Sequence, residues 1–203
     1  MAFPDFPPLF PPLFPTPRWW RLYMERMLKG ATDGYAMSIA NHACELPQRE
    51  WMRFRLKDDT LISIPTAGSA SALKNHPSDT WCLSPKAPAE ARKADLTIAT
   101  LYGNTPYCHL LADRLSLRDL TARYPGGYAS ELCLEAWMRV REILQLDDED
   151  LLYEIRSNLR DPSPVFIEKT KELRLKADDD ISIIDALMRY GKETLFLIIP
   201  DIK

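Results

Sequence analysis

The residues best suited to chemistry in this chain are three arginines, Arg49, Arg53 and Arg55, within the segment PQREWMRFR at 47–55. A planar guanidinium presents a fork of N–H donors that grips a phosphate or carboxylate through paired hydrogen bonds, so arginines on a strand and its approach can hold an anionic substrate. The same arginines also describe a solvated sheet face, and residue type alone leaves both readings open. A second cluster is TPYCHLL at 105–111. Here Tyr107, Cys108 and His109 are expected in the first turn of a helix, where amides and dipole can receive an anion. Neighbouring side chains diverge on a helix, so Cys108 and His109 do not read as a nucleophile and its base.

Much other chemistry is excluded by pattern. His42, His76 and His109 are dispersed, and Cys44, Cys82, Cys108 and Cys133 form neither a CxxC pair nor a Cys/His cluster. Neither a zinc site nor a disulfide framework is therefore indicated, and the thiols read as reduced, small and hydrophobic. The run DDED at 147–150 points adjacent carboxylates in different directions, which suits the acidic start of a helix better than one metal ion. GxSxG, HExxH, GxxxxGK[ST] and GxGxxG are absent, which removes the common hydrolase, zincin, P-loop and dinucleotide signatures. No metal and no cofactor is expected.

The elements that must position these residues follow from periodicity. PPLF occurs twice in tandem, at 7–10 and 11–14, and its prolines favour an extended segment. That segment either docks into a partner's aromatic groove or straps over the domain's own core. Trp19, Trp20, Tyr23, Met24 and Met27 then recur at helical spacing up to Gly30. From 35 to 65 the pattern reads as sheet. Tyr35, Met37 and Ile39 alternate with Ala36, Ser38 and Ala40, and Met52, Phe54 and Leu56 alternate with the arginines. Asp58 and Asp59 interrupt that pattern before 61–64, a hairpin signal. Residues 66–88 read as a long surface loop with at most a short strand at 81–83.

The second half reads as helices. Ala91, Ala94, Ile98 and Leu101 form a stripe ending at Gly103, expected as a left-handed cap, and Thr105-Pro106 is expected to restart a helix. Ala129, Leu132, Cys133, Ala136, Trp137, Val140 and Leu144 keep one helical face, with Gly126 and Gly127 marking the turn before it. A helix over 151–159 follows, then a break at 161–164, then a last helix carrying Ile183, Ile184, Leu187 and Met188 and closed by Gly191.

Composition frames this reading. The chain has 203 residues, 46% hydrophobic and 27% charged, with a net charge of −3, which fits one globular domain or at most two small ones and gives no broad basic field for nucleic acid or anionic lipid. Gly is scarce at 7 and Pro plentiful at 17, so irregular segments are stiffened by proline. The start of the chain lacks the charges and cleavage site of a signal peptide, and no apolar run approaches a membrane span, so a cytoplasmic protein without membrane insertion is expected.

Taken in order, several segments resemble the WbqC-like proteins encoded with bacterial surface-polysaccharide genes. The family's early FPP before an aromatic-rich helix is matched by Phe10-Pro11-Pro12 or Phe6-Pro7-Pro8 ahead of Trp19-Trp20. Its YQKQSYRNR leading to LSIP resembles PQREWMRFR and LISIP at 61–65, its AYG-x-x-PYF resembles LYGNTPYCHLL at 101–111, and its NLSIIDLLFNEGPE resembles DISIIDALMRYGKE at 180–193. The chain departs from the family pattern at Phe54, where the family has Asn, and at Cys108, where it has an aromatic.

The resemblance implies an enzyme of surface-polysaccharide assembly that transfers an acyl or aminoacyl group to an activated, for example nucleotide-linked, amino sugar. Arg49, Arg53 and Arg55 would hold anionic groups, and Tyr102, Asn104, Tyr107 and His109 would shape the pocket. Asp185 would orient a side chain or act as a base. Blander roles stand beside these: Tyr102 and Tyr107 can seal the packing at a helix break, and Asp185 can support a helix N-terminus. The alternative function is a non-catalytic binding or assembly protein that uses the proline-rich start or the Trp-rich helix. The expected fold is a mixed α+β domain over 18–203, its small N-terminal sheet packed by C-terminal helices, behind a proline-rich strap at 1–17. A small-molecule substrate and no nucleic acid are expected, and a homo-oligomer is compatible with the sequence.

Overall fold

The stripe Trp19, Trp20, Tyr23 and Met24 folds as helix α1 (Pro17–Leu28), with Pro17 in its first turn and the Thr16 hydroxyl accepting from the Trp19 amide at 3.3 Å. The computed structural model describes residues 10–43, 51–67 and 81–201. All four aromatic and Met side chains of the stripe are buried, and two of them meet Trp137 of helix α5 (Ala129–Leu144): Trp20 stacks on it at 6.3 Å between ring centroids and Tyr23 meets it edge-on at 5.6 Å. Offset and edge-to-face geometries of this kind suit the ring quadrupoles. The face of α5 expected from its spacing is the buried one, and Cys133 on it is fully enclosed, which pushes its thiol up to about 12.

Helix α2 (Asp33–Ala43) corrects the strand expected over 35–40. The period of two in Tyr35-Ala36-Met37-Ser38-Ile39-Ala40 is an alternation of size and not of polarity, so it specifies no water-facing side. Ala36, Met37 and Ala40 are buried at helical spacing instead. The sheet that remains among the described residues is one antiparallel hairpin, β1 (Arg53–Arg55) and β2 (Leu61–Ser63), with Phe54 opposite Ile62 on the buried face and Arg53 and Arg55 on the exposed one. Asp58 and Asp59 take left-handed backbone (φ 58° and 56°) in its turn, a conformation that Asp tolerates better than most residues. Farther on, Cys82 and Leu83 make only isolated bridges, to Tyr128 and Thr66.

Helix α3 (Ala87–Tyr102) packs on β2 and on the short helix α4 (Leu117–Arg123). Two expectations around its end are corrected. Gly103 is right-handed (φ −56°), and a Cβ there would lie 2.7 Å from the Ala99 carbonyl oxygen, so close approach and not a left-handed cap is what glycine supplies. Pro106 does not start a helix: residues 106–108 are a turn, and the helical stretch begins at His109 and passes into a five-residue π-helix at Leu111–Leu115. Helix α6 (Glu149–Arg160) starts as its acidic run suggests, with Asp148 accepting from the amides of Asp150 and Leu151. The break at 161–164 is itself a start, because Ser163 caps helix α7 (Pro164–Lys176). The amphipathic α8 (Ile183–Tyr190) is nearly enclosed, with Ile183 to Met188 all buried.

The strap closes the core. Leu13 and Phe14 are buried, the Leu13 amide donates to the Trp51 carbonyl at 2.7 Å, and the Ser182 hydroxyl donates to the Phe14 carbonyl at 3.0 Å. The result is a mixed α+β domain around one hydrophobic core, a small hairpin sheet packed by the helices that follow it. The second PPLF copy belongs to this core, so it is not presented to a partner. Among the described residues, no helix is long and apolar enough to cross a membrane.

Candidate functional site

Helix α8 carries Asp185 and contacts Arg55, Tyr102 and Tyr107 among the residues singled out above. At its N-terminus, the Ser182 amide donates to the Arg55 carbonyl at 2.8 Å, which ties β1 to the helix. Near its C-terminus, the Met188 carbonyl accepts from the Tyr107 amide at 3.2 Å, and the Tyr107 ring lies against Gly191 so closely that a Cβ there would sit 2.6 Å from it. These two attachments are six residues apart along the helix, about 9 Å at its usual rise.

Between them lies a buried polar clasp. The Tyr102 hydroxyl donates to Asp185 Oδ1 at 2.8 Å and accepts from the Lys57 amide at 3.2 Å, while the Lys57 ammonium sits 4.8 Å from the centre of the Tyr102 ring. Burial holds the phenol well above its ordinary value. The Lys57 amide works against that rise, and the negative charge of Asp185 adds to it. Tyr102 is therefore a neutral hydroxyl, and the direction of its hydrogen bond to Asp185 is fixed. Oδ1 of Asp185 also faces Arg189 Nε at 3.2 Å, one turn along the helix.

The clasp is internal and its surroundings are cationic. Tyr102 is 1% exposed and Asp185 5%, so both position their neighbours without presenting much surface to a ligand. Arg53 and Arg55 are exposed on the hairpin, the latter 3.8 Å from Asp59, and Arg189 and Lys57 are partly exposed. Asn104 is exposed in the turn after α3, Tyr107 is half-buried, and His109 is exposed with its ring 6.3 Å from that of Tyr107. Arg49 lies outside the described residues. The turn at 106–108 moves the start of the helical stretch to His109, so Tyr107 and Cys108 precede it instead of forming its first turn. Exposed arginines on a strand can meet an anion through paired hydrogen bonds.

Two members of the arrangement escape the sequence reading. Arg189 carries a signal, its four-residue offset from Asp185, which places both on one helix face. Lys57 carries none, because it acts partly through a backbone amide that any residue would offer. Among the described residues no group of His, Cys, Asp or Glu could hold a metal ion. No protein-family profile matches the chain, and no curated protein or solved structure is significantly similar to it.

Proposed function

We propose that this chain is a transferase of bacterial surface-polysaccharide assembly, moving an acyl or aminoacyl group onto the amine of an activated amino sugar. The substrate class comes from the resemblance to the WbqC-like proteins. The observation that supports a working site is the Tyr102–Asp185 hydrogen bond at 2.8 Å, which fastens the arginine-bearing hairpin turn and the end of α3 to one helix. In this reading Arg53 and Arg55 hold the anionic leaving or carrier group of the sugar through paired hydrogen bonds. His109 accepts the proton released as the amine attacks the acyl carbonyl; the C–N bond forms, and the acyl carrier departs with the electron pair of the broken bond. Asp185 positions Arg189 and, through Tyr102, Lys57. The alternative of a partner-docking protein would have to use residues 1–9, which lie outside the described residues, since Pro11 to Phe14, Trp19 and Trp20 are buried.

A panel of nucleotide sugars, screened by thermal shift, tests the reading, because a ligand that prefers the folded state raises Tm by mass action. One of them is expected to raise Tm in the unsubstituted protein and to lose that effect in Arg53→Ala and Arg55→Ala. A shift that survives both substitutions overturns the assignment of the arginines. His109→Ala is expected to keep the shift and lose transfer.

A further inference from the structure

A cleft of about 580 Å³, remote from the clasp in its lining residues, runs between α1, α6 and the segment after the last helical turn. Its volume falls within the range of small-molecule pockets. Helix α1 turns two faces to different tasks: Trp19, Trp20, Tyr23 and Met24 enter the core, while Arg18, Arg21, Leu22, Glu25 and Leu28 line the cleft. Opposite them stand Arg156, Leu159 and Arg160 of α6, again on one helical face.

The charges in this cleft do not cancel. Arg21 is held by both carboxylate oxygens of Asp179, at 2.9 and 3.1 Å, and by the Leu197 carbonyl. Lys29 pairs with Glu25 and Asp201 pairs with Arg174, each at 2.5 Å. That leaves Arg18, Arg156 and Arg160 with no ion-pair or hydrogen-bond partner among the described residues. Two helices thus present like charges across one cleft, in a chain whose net charge is −3. Like charges facing each other repel, and an anion between them converts that repulsion into attraction. The remaining lining, Leu22, Leu28, Leu159 and Pro200, is aliphatic and offers no aromatic face for stacking a base.

We infer that the α1–α6 cleft binds a phosphate ester with an aliphatic body, the phosphate held by Arg18, Arg156 and Arg160 and the hydrocarbon laid on Leu22, Leu28 and Leu159. Guanidinium groups match phosphate geometry, and the leucines give the tail a surface that water does not compete for.

Calorimetric titration of the full chain with octyl phosphate, inorganic phosphate and octanol tests this. Octyl phosphate is expected to bind about tenfold or more tightly than either fragment, and Arg156→Ala and Arg160→Ala are each expected to weaken it about tenfold. Leu159→Asn is expected to weaken octyl phosphate and leave inorganic phosphate unchanged. Urea midpoints of the variants establish that they remain folded. Equal affinity for phosphate and octyl phosphate overturns the inference, as does unchanged binding in the Arg156→Ala/Arg160→Ala variant. Sedimentation with phosphatidic acid vesicles but no binding of monomeric octyl phosphate overturns it in favour of a membrane surface. Arg53→Ala/Arg55→Ala, which tests the proposed transferase site, is expected to leave octyl phosphate binding intact, so failure at one site is distinguishable from failure at the other.

Discussion

The hydroxyl of Tyr102 and the carboxylate of Asp185 meet at 2.8 Å although they are 83 positions apart, and both are buried. Removing the hydroxyl in Tyr102→Phe leaves the amide of Lys57 without its acceptor and takes one of two donors from Asp185 Oδ1, which keeps Arg189. A buried polar atom left without its partner costs about 1–3 kcal/mol, so that is the expected loss of unfolding free energy. Asp185→Asn keeps an acceptor for the hydroxyl and weakens the pairing with Arg189. Urea denaturation of both single variants and the double variant gives a coupling energy of roughly 0.5–3 kcal/mol if the two side chains act as one unit. Additive losses would show that they do not.

Alkali should destabilise the protein through three buried acids. Burial is the largest cause that raises Tyr23 and Tyr102 above the ordinary phenol range, with Asp33 and Asp185 reinforcing it, and burial pushes Cys133 up to about 12. The unfolded chain releases these protons from about pH 9 for the thiol and about pH 10 for the phenols, whereas the folded chain retains them. Above those values the unfolded state binds fewer protons, so stability is complete below them and falls as pH rises, by about 1.4 kcal/mol per pH unit for each group. Unfolding free energies measured from about pH 8 to about pH 11 under reducing conditions should show this slope. Cys133→Ala should flatten it first and Tyr102→Phe only at higher pH. A Cys133→Ala variant with the full slope would remove the thiol from the account.

Gly191 ends α8 at φ 53° and ψ −128°, a conformation essentially closed to residues with a Cβ, and the added carbon would lie within 2.6–2.8 Å of three Tyr107 ring atoms. Gly191→Ala is expected to cost on the order of 2–4 kcal/mol, from backbone strain together with overpacking. The two contributions separate in a Tyr107→Ala background, where the clash disappears and the strain persists. A loss below about 0.5 kcal/mol in the single variant, the level of an ordinary surface change, would show that the backbone simply rearranges.

Where sequence and structure agree, a physical signal was strong enough to survive tertiary context. Helix α5 is legible because seven apolar positions repeat at one spacing, and the β1–β2 hairpin because two aspartates interrupt an apolar alternation. Helix α2 is not legible, since large side chains alternate there with small ones, Ala36, Ser38 and Ala40, and a helix buries these equally well. Gly103 shows the same limit, because glycine marks close approach as often as left-handed backbone. Tyr102 and Asp185 stand out only through a family resemblance, and no local pattern reveals that they touch. Lys57 is invisible for a simpler reason, in that half its contribution is an amide.

The hydroxyl of Ser182 joins two elements, and its loss should be felt in both. It caps α8, accepting from the Ile184 amide at 3.2 Å, and it donates to the Phe14 carbonyl of the strap at 3.0 Å. The strap is tied to the same helix end once more, through the Ile183 amide and the Pro15 carbonyl at 3.0 Å. Ser182→Ala removes the cap, at about 1 kcal/mol, and leaves a buried carbonyl without its donor, at about 1–3 kcal/mol more. The strap should then open below the global unfolding transition, because Leu13 and Phe14 are held in the core partly by that carbonyl. Limited proteolysis of Ser182→Ala under native conditions is expected to cut near residues 10–15 faster than in the unsubstituted protein, and hydrogen exchange at the Leu13 amide, which donates to Trp51, should accelerate with it. If stability falls while strap cleavage and Leu13 exchange do not change, Ser182 acts as a helix cap alone and the strap is secured by its buried side chains.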